Sequence, residues 1–152
     1  MNEKGQSAGG IRGSNMKQLI VLLAVLPLML VFIMQFAQEQ ENSNRIQKLE
    51  NYVNTSKEVA KQEGFFSTEN IASLKIKIAE TFQLSVSEIS FEGSITPKYR
   101  VNQFDQRELI YYKVGVPVKK IMAGASLMGI SHEENKGYYY IDGFTASEAL
   151  LP

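Results

Sequence analysis

The stretch LIVLLAVLPLMLVFIM, residues 19–34, decides how this chain is organised. Every residue in it is apolar, and no charged residue lies between Lys17 and Glu39. As an α-helix, residues 19–37 would be about 28 Å long at about 1.5 Å per residue, which is close to the thickness of a bilayer's hydrocarbon core. The sequence therefore predicts a transmembrane helix over residues 17–38. The alternative is an unusually apolar core helix.

The charges that flank this span predict its orientation. Three basic residues and one acidic residue precede it, namely Lys4, Arg12, Lys17 and Glu3. The first charged residues after it, Glu39 and Glu41, are acidic. Because basic flanks stay on the cytoplasmic side, we expect a single-pass protein of the cell membrane with residues 1–16 as a cytoplasmic leader, unstructured up to residue 15, and residues 39–152 outside.

A cleaved secretory signal would share some of these features. Its apolar core usually has about 7–15 residues and is followed by a site of small residues. Here the apolar run is longer, and Gln35 lies where a small residue is needed if Ala37 ends the signal. The pattern therefore favours an anchor that is retained in the membrane.

The helix is predicted to continue past the membrane as an amphipathic segment, residues 39–64. Neither Gly nor Pro occurs from Leu28 to Glu63, and Gly64 stands at a suitable C-cap position. Apolar residues recur at spacings of three and four, which places them on one stripe; they are Ile46, Leu49, Val53 and Ala60. This stripe needs a surface to lie on, which is either the chain's own domain or a neighbouring subunit.

The remainder, residues 65–152, is predicted to be an α+β head. Ser67 and Thr68 are good N-caps for a second helix ending near Phe82. Alternating patterns then predict strands at residues 86–92, 109–119 and 138–144, with polar residues 94–107 and glycine-containing residues 122–137 as loops. Helices followed by strands favour helices packed on one face of a small antiparallel sheet.

Composition argues against several kinds of chemistry. Lys plus Arg and Asp plus Glu both number 16, so the net charge is zero, which is atypical of a nucleic-acid binder. Cysteine is absent, and His132 is the single histidine, followed by two glutamates in a loop. We therefore predict neither catalytic residues nor a metal or cofactor site, and a membrane-anchored enzyme is the weakest of the functional hypotheses.

One pattern resembles pilin precursors, in which a basic leader ends in Gly, a Glu stands fifth after it, and a membrane helix leads into a globular head. Here Arg12-Gly13 is followed by Ser14, and Gln18 is the fifth residue after Gly13. The Leu26-Pro27-Leu28 segment, the long amphipathic helix and the valine-rich strand Tyr112-Lys-Val-Gly-Val-Pro-Val118 are similar to the TadE-like pseudopilins of tight-adherence (Flp-type) pilus systems.

The resemblance implies that a prepilin peptidase cleaves between Gly13 and Ser14. It also implies a non-catalytic subunit that assembles with other pilin-like or membrane subunits of a pilus or secretion apparatus, at times in a surface filament. Gln18, Ile46, Leu49, Val53 and Ala60 would then contact neighbouring subunits. The family's Glu is replaced by Gln18, which accepts a hydrogen bond but forms no ion pair. The alternative is an unprocessed single-pass scaffold of an envelope or conjugation complex.

Overall fold

The computed structural model describes residues 7–100 and 108–150, with side chains from Gly13 onwards. Its elements are α1 (Ser7–Glu63), α2 (Thr68–Phe82), β1 (Ser90–Gly93), β2 (Leu109–Val118) and β3 (Gly137–Ala146). Within these residues the predicted α+β fold is confirmed, with a long apolar helix, a second helix and a three-stranded antiparallel sheet. The expectations for residues 1–6, 101–107 and 151–152 lie outside the described residues.

The first helix, α1, is continuous over 57 residues and is about 85 Å long at about 1.5 Å per residue. It confirms the predicted continuation of the apolar helix into the head, and it runs through Pro27 without a break. It begins at Ser7, so the expectation that residues 7–15 are unstructured is wrong. Once a helix exists, each added residue gains a hydrogen bond without a second nucleation cost.

The two halves of α1 have different surroundings. From Gly13 to Leu30 every residue is exposed, so this part of the apolar run has no cover from the rest of the chain. Among the described helices, α1 is the one long and apolar enough to cross a bilayer. Its second half packs on the head, where Leu49, Val53 and Ala60 are buried. The apolar half is therefore compatible with a membrane anchor.

The turn between α1 and α2 has the predicted caps. The Gly64 N–H donates to the Ala60 carbonyl oxygen at 2.8 Å, and Gly64 has a φ of +85°, which only glycine adopts without strain. Three residues later, the Ser67 Oγ accepts a hydrogen bond from the Asn70 N–H at 3.3 Å and caps α2. These two caps fix where α1 ends and where α2 begins.

The sheet has the order β1-β2-β3, with β2 in the centre. Pro117 is the last residue but one of β2, the central strand, so its missing N–H must lie where no ladder partner is available. β1 reaches only to Ser90, opposite Gly115. The Tyr111 carbonyl oxygen accepts from the Ser94 N–H, and the Tyr111 N–H donates to the Ser94 Oγ, so the polar backbone groups of Tyr111 face the β1 side. Pro117, six residues on, faces the same side beyond the end of β1. No ladder hydrogen bond is therefore lost at Pro117.

The first predicted strand is shorter than expected. Residues Val86–Glu88 form a turn of 3-10 helix, and β1 begins only at Ser90. The Glu88 carboxylate accepts a hydrogen bond from the Ser85 N–H at 2.7 Å, which makes a capping box. The local bond therefore outcompetes strand pairing over these residues.

The core lies between the two helices and one face of the sheet. Its centre combines buried residues from all of these elements, namely Leu49, Val53, Ala60, Phe66, Leu74, Ile78, Ile89, Ile110, Tyr112, Val114 and Val116. The alternation along β2 is as predicted, with Ile110, Tyr112, Val114 and Val116 facing inwards. The opposite face of the sheet carries no helix among the described elements, and it is open to solvent.

Candidate functional site

The residues expected to contact neighbouring subunits divide into two groups. Leu49, Val53 and Ala60 are at most 3% exposed and lie in the chain's own core. The sequence allowed the apolar stripe to lie on either the chain's own domain or a neighbouring subunit. In the structure these residues of the stripe lie on the chain's own domain. These three residues therefore offer no surface to a neighbour, and the expected subunit contact is corrected to an intrachain one at these positions.

Ile46 differs from the rest of the stripe. It is half-buried and lines an apolar recess of about 260 Å³ between α1 and the end of the sheet. Phe82, Leu84 and Tyr139 contribute to the same recess. Ile46 is thus the member of the stripe that borders solvent.

The residues of the predicted cleavage site lie near the start of α1. Gly13 and Ser14 are exposed and helical, and a Cβ added at Gly13 would meet no atom within 4 Å. Gln18 is also exposed, one helical turn further along. The structure therefore leaves all three residues free of contacts with the head.

The Tyr138-Tyr139-Tyr140 run on β3 is divided between the two faces of the sheet, as alternation along a strand requires. Tyr139 and Ile141 pack against the core, whereas Tyr138, Tyr140 and Phe144 point to the opposite side. These last three side chains are 50–66% exposed. We call Tyr138, Tyr140 and Phe144 the aromatic face.

Neighbouring side chains hold the aromatic face in a defined arrangement. The rings of Tyr138 and Tyr140 stack with centroids 6.0 Å apart, and the Phe144 ring lies 5.2 Å from that of Tyr111 on β2. The Lys113 Nζ lies 5.1 Å from the centre of the Tyr140 ring. Such cation–π and ring contacts restrict side-chain rotation, so the face is preorganised before it meets a partner.

Glycine at position 115 allows this arrangement. It lies opposite Tyr140 in the register of β2 and β3. A Cβ at that position would lie only 2.6 Å from the Tyr140 Cε1, so the ring covers the bare backbone of β2. The ring thereby lies flat across the sheet.

β3 also has a free edge. Within the described residues it pairs with β2 alone, over all ten of its residues. A long edge strand presents unpaired N–H and C=O groups that can add a further strand. The aromatic face and this edge adjoin each other on β3, and both are open to solvent within the described residues.

The titratable groups of the loop before β3 form local pairs. Lys136 donates to the Glu133 carboxylate at 2.6 Å, and this bond lowers the pKa of Glu133 below its usual value. Hydrogen bonds from the Ser131 side chain and N–H likewise lower the pKa of Glu134. His132 is exposed, as expected of a solvated turn. No cluster of three potential metal ligands occurs in the part of the chain that the structure describes.

Sequence reasoning missed two sets of contacts. The chain after β3 returns to the end of α1, where Lys61 pairs with Glu148 at 3.1 Å and its pKa is raised by that hydrogen bond. The loop between β2 and β3 contacts α1 through Gln35, Gln38 and Asn42. The available signal for the second set was three amides at spacings of three and four on one side of α1, which contact residues 120–123 far along the chain.

No protein-family model matches the sequence, and no curated protein or solved structure is significantly similar to it.

Proposed function

We propose that this chain is a non-catalytic, membrane-anchored subunit, pilin-like in build, that helps to assemble a pilus or secretion apparatus of the tight-adherence type. The N-terminus lies in the cytoplasm, residues 17–38 cross the membrane once, and the head lies outside. The partners are the lipid bilayer and other pilin-like or membrane subunits. The largest assembly that these subunits would form is a surface filament.

The observation that carries the proposal is the continuity of α1. One helix supplies both the exposed apolar half and the buried residues Leu49, Val53 and Ala60 of the head. Because no flexible linker separates the two halves, the head cannot tumble relative to the anchor. A fixed orientation is useful for packing into an ordered assembly, whereas a tethered enzyme needs no such coupling.

The aromatic face supplies a surface for assembly. Exposed aromatic residues are enriched in protein interfaces, since they bury a large area at a small loss of side-chain entropy. Tyr138, Tyr140 and Phe144 are preorganised beside a free strand edge. We therefore assign the neighbouring subunit to this face rather than to the stripe on α1.

A second candidate function, an unprocessed scaffold of an envelope or conjugation complex, is favoured by one residue. Gln18 stands where pilins have Glu, and a neutral amide gives up the ion pair that a carboxylate would form with a neighbour's N-terminal amine. The scaffold would keep residues 1–13 and would form no filament. All other features of the proposed topology are shared.

The two candidates are separated by the intact mass of the full chain after extraction from membranes. A mass that corresponds to an N-terminus at Ser14 supports the pilin-like subunit and its cleavage by a prepilin peptidase. A full-length mass supports the scaffold. Recovery of the chain in the soluble fraction after alkaline carbonate washing would contradict both.

A further inference from the structure

The loop between β2 and β3, residues 119–136, runs alongside α1 in the direction of the apolar half. The Nδ2 of Asn42 and the Nε2 of Gln38 donate to the Lys120 carbonyl oxygen at 3.3 and 3.4 Å. Further along, the Ala123 N–H donates to the Gln35 Oε1 at 2.9 Å. The loop therefore descends about 10 Å along the helix, from Asn42 to Gln35, at about 1.5 Å per residue.

Gln35 marks a boundary on α1. It is the first polar residue after the apolar run that ends at Met34. If residues 19–37 fill the hydrocarbon core of a bilayer, Gln35 lies where this core meets the headgroups. Val31, one turn deeper on the same side of α1, is half-buried, while the residues next to it are exposed. The cover that the head gives to α1 thus extends into the apolar half.

The part of the loop at this level has no charge. Residues 121–131 read IMAGASLMGIS. Leu127 and Met128, in the 3-10 turn Ala125–Met128, are 79% and 56% exposed, and Ile121 is 45% exposed. These side chains lie outside the core of the head, so their exposure to water is unfavourable and a less polar layer would stabilise them.

The backbone of the loop is already hydrogen-bonded within the chain. The Asn135 Oδ1 accepts from the N–H groups of Ile121 and Met122 at 3.2 and 2.7 Å, and its Nδ2 donates to the Met122 carbonyl oxygen at 2.9 Å. The N–H groups of Leu127, Gly129 and Ile130 donate to carbonyl oxygens of the same loop. Since unpaired backbone groups are what makes irregular loops costly in a membrane, this loop is suited to a layer that is poor in water.

The charges at the two ends of the loop fit the same environment. Lys119 and Lys120 precede the uncharged part; the Lys119 Nζ donates to the Gln83 carbonyl oxygen of the head at 3.4 Å, whereas Lys120 is exposed beside the uncharged part, where a basic side chain suits anionic lipid headgroups. On the other side, His132 and Lys136 line a recess with Glu88 and Pro117 of the head. The acidic Glu133 is paired with Lys136 in that region. The uncharged tip therefore projects from the head without an acidic residue of its own.

We propose that the tip of this loop, Leu127 and Met128, inserts into the headgroup–acyl boundary of the bilayer that holds α1. The loop is a second membrane contact, on the leaflet that faces the head. It sets the height and the rotation of the head relative to the membrane surface. This inference rests on the proposed membrane anchorage of α1.

The test uses the full chain in liposomes and single-cysteine variants, which need no further change because the chain has no cysteine. Leu127→Cys reports on the loop, Met29→Cys on the anchor, and Ile95→Cys, 67% exposed in the turn after β1, is the control. Each variant carries a polarity-sensitive fluorophore, and lipids with a quenching nitroxide at a shallow or a deep position of the acyl chain are compared.

We expect shallow nitroxides to quench the label at position 127, deep nitroxides to quench the label at position 29, and neither to quench the label at position 95. Quenching at position 29 without quenching at position 127 overturns the loop contact and leaves the anchor intact. Absence of quenching at position 29 overturns the anchorage itself. The label at position 127 could instead report a less polar environment only as the protein concentration rises, with no quenching by the lipid nitroxides. That result would assign the loop to a contact with a second copy of the chain and would also overturn the proposal.

Discussion

The Ala123 N–H donates to the Gln35 Oε1 at 2.9 Å, across 88 residues of sequence. Gln35 follows the apolar run of α1, and Ala123 lies in the loop between the two longest strands of the sheet. This bond joins the head to α1 below the buried stripe of Leu49, Val53 and Ala60. The head is therefore fixed to its helix at the level proposed for the membrane surface as well as through its core.

Replacing Gln35 by Leu should release this loop. The variant removes the acceptor of the Ala123 N–H, and the loss of one such hydrogen bond costs about 1 kcal/mol. We expect faster amide hydrogen exchange around Ala123 and little change in the stability of the rest of the head. Gln40→Leu is the control, since Gln40 is exposed on the same helix. Equal exchange in both variants would show that the bond does not hold the loop.

Two isoleucines on α2 provide a matched test of the core. Ile78 is fully buried, whereas Ile76 is 47% exposed. Ile78→Ala should lower the free energy of unfolding by about 2–5 kcal/mol, because a buried cavity is formed. Ile76→Ala should change it by less than about 0.5 kcal/mol. Denaturant unfolding of the full chain in detergent measures both, and a similar loss in the two variants would contradict the packing of α2.

The end of α1 requires glycine for two reasons. Gly64 has a positive φ, which strains any residue with a Cβ. An added Cβ would also lie only 2.6 Å from the Lys98 carbonyl oxygen. Gly129 also has a positive φ, but its Cβ would meet no atom within 4 Å. Gly129→Ala should therefore cost about 1–2 kcal/mol from the backbone alone, and Gly64→Ala should cost more. Equal losses in thermal or denaturant unfolding would mean that the chain near Lys98 moves aside freely.

The aromatic face should carry assembly. Phe144→Ser removes a ring that is mostly exposed but packs on the Tyr111 ring, so the isolated chain should stay folded and lose only about 0.5–1.5 kcal/mol of stability. Contact with a neighbouring subunit should weaken by on the order of 2 kcal/mol, as for other central aromatic residues in interfaces. The measurement is the amount of the chain incorporated into the assembly isolated from membranes.

Ile95→Ser is the control for this variant, because Ile95 and Phe144 are 67% and 66% exposed. Ile95 follows β1, far from β3 in the order of the chain, and it is not part of the aromatic face. If both serine variants are incorporated equally well, the neighbouring subunit does not bind at Phe144.

The elements with a regular period were predictable from the sequence. Repeats of three and four residues located the amphipathic part of α1, and alternation located β2 with its buried residues Ile110, Tyr112, Val114 and Val116. The caps Gly64 and Ser67 were predictable because each has a local mechanism. In these cases the information lies within a few residues of the element.

The partner of the stripe and the position of the β2–β3 loop were not predictable. Leu49 and Val53 have the same spacing whether they face the chain's own sheet or another subunit, so the period alone leaves the choice open. The contact between Gln35 and Ala123 involves one amide and one backbone N–H, which have no periodic signature. Both depend on tertiary packing between segments that are distant in the chain.

The central claim is that α1 crosses the membrane once and holds the head outside. The most direct test labels single cysteines with a membrane-impermeant maleimide in right-side-out vesicles, using Asn15→Cys before the apolar run and Ile95→Cys in the head. The account predicts that Ile95→Cys reacts in intact vesicles and that Asn15→Cys reacts only after the membrane is opened. Reaction of Asn15→Cys in intact vesicles together with protection of Ile95→Cys would contradict it.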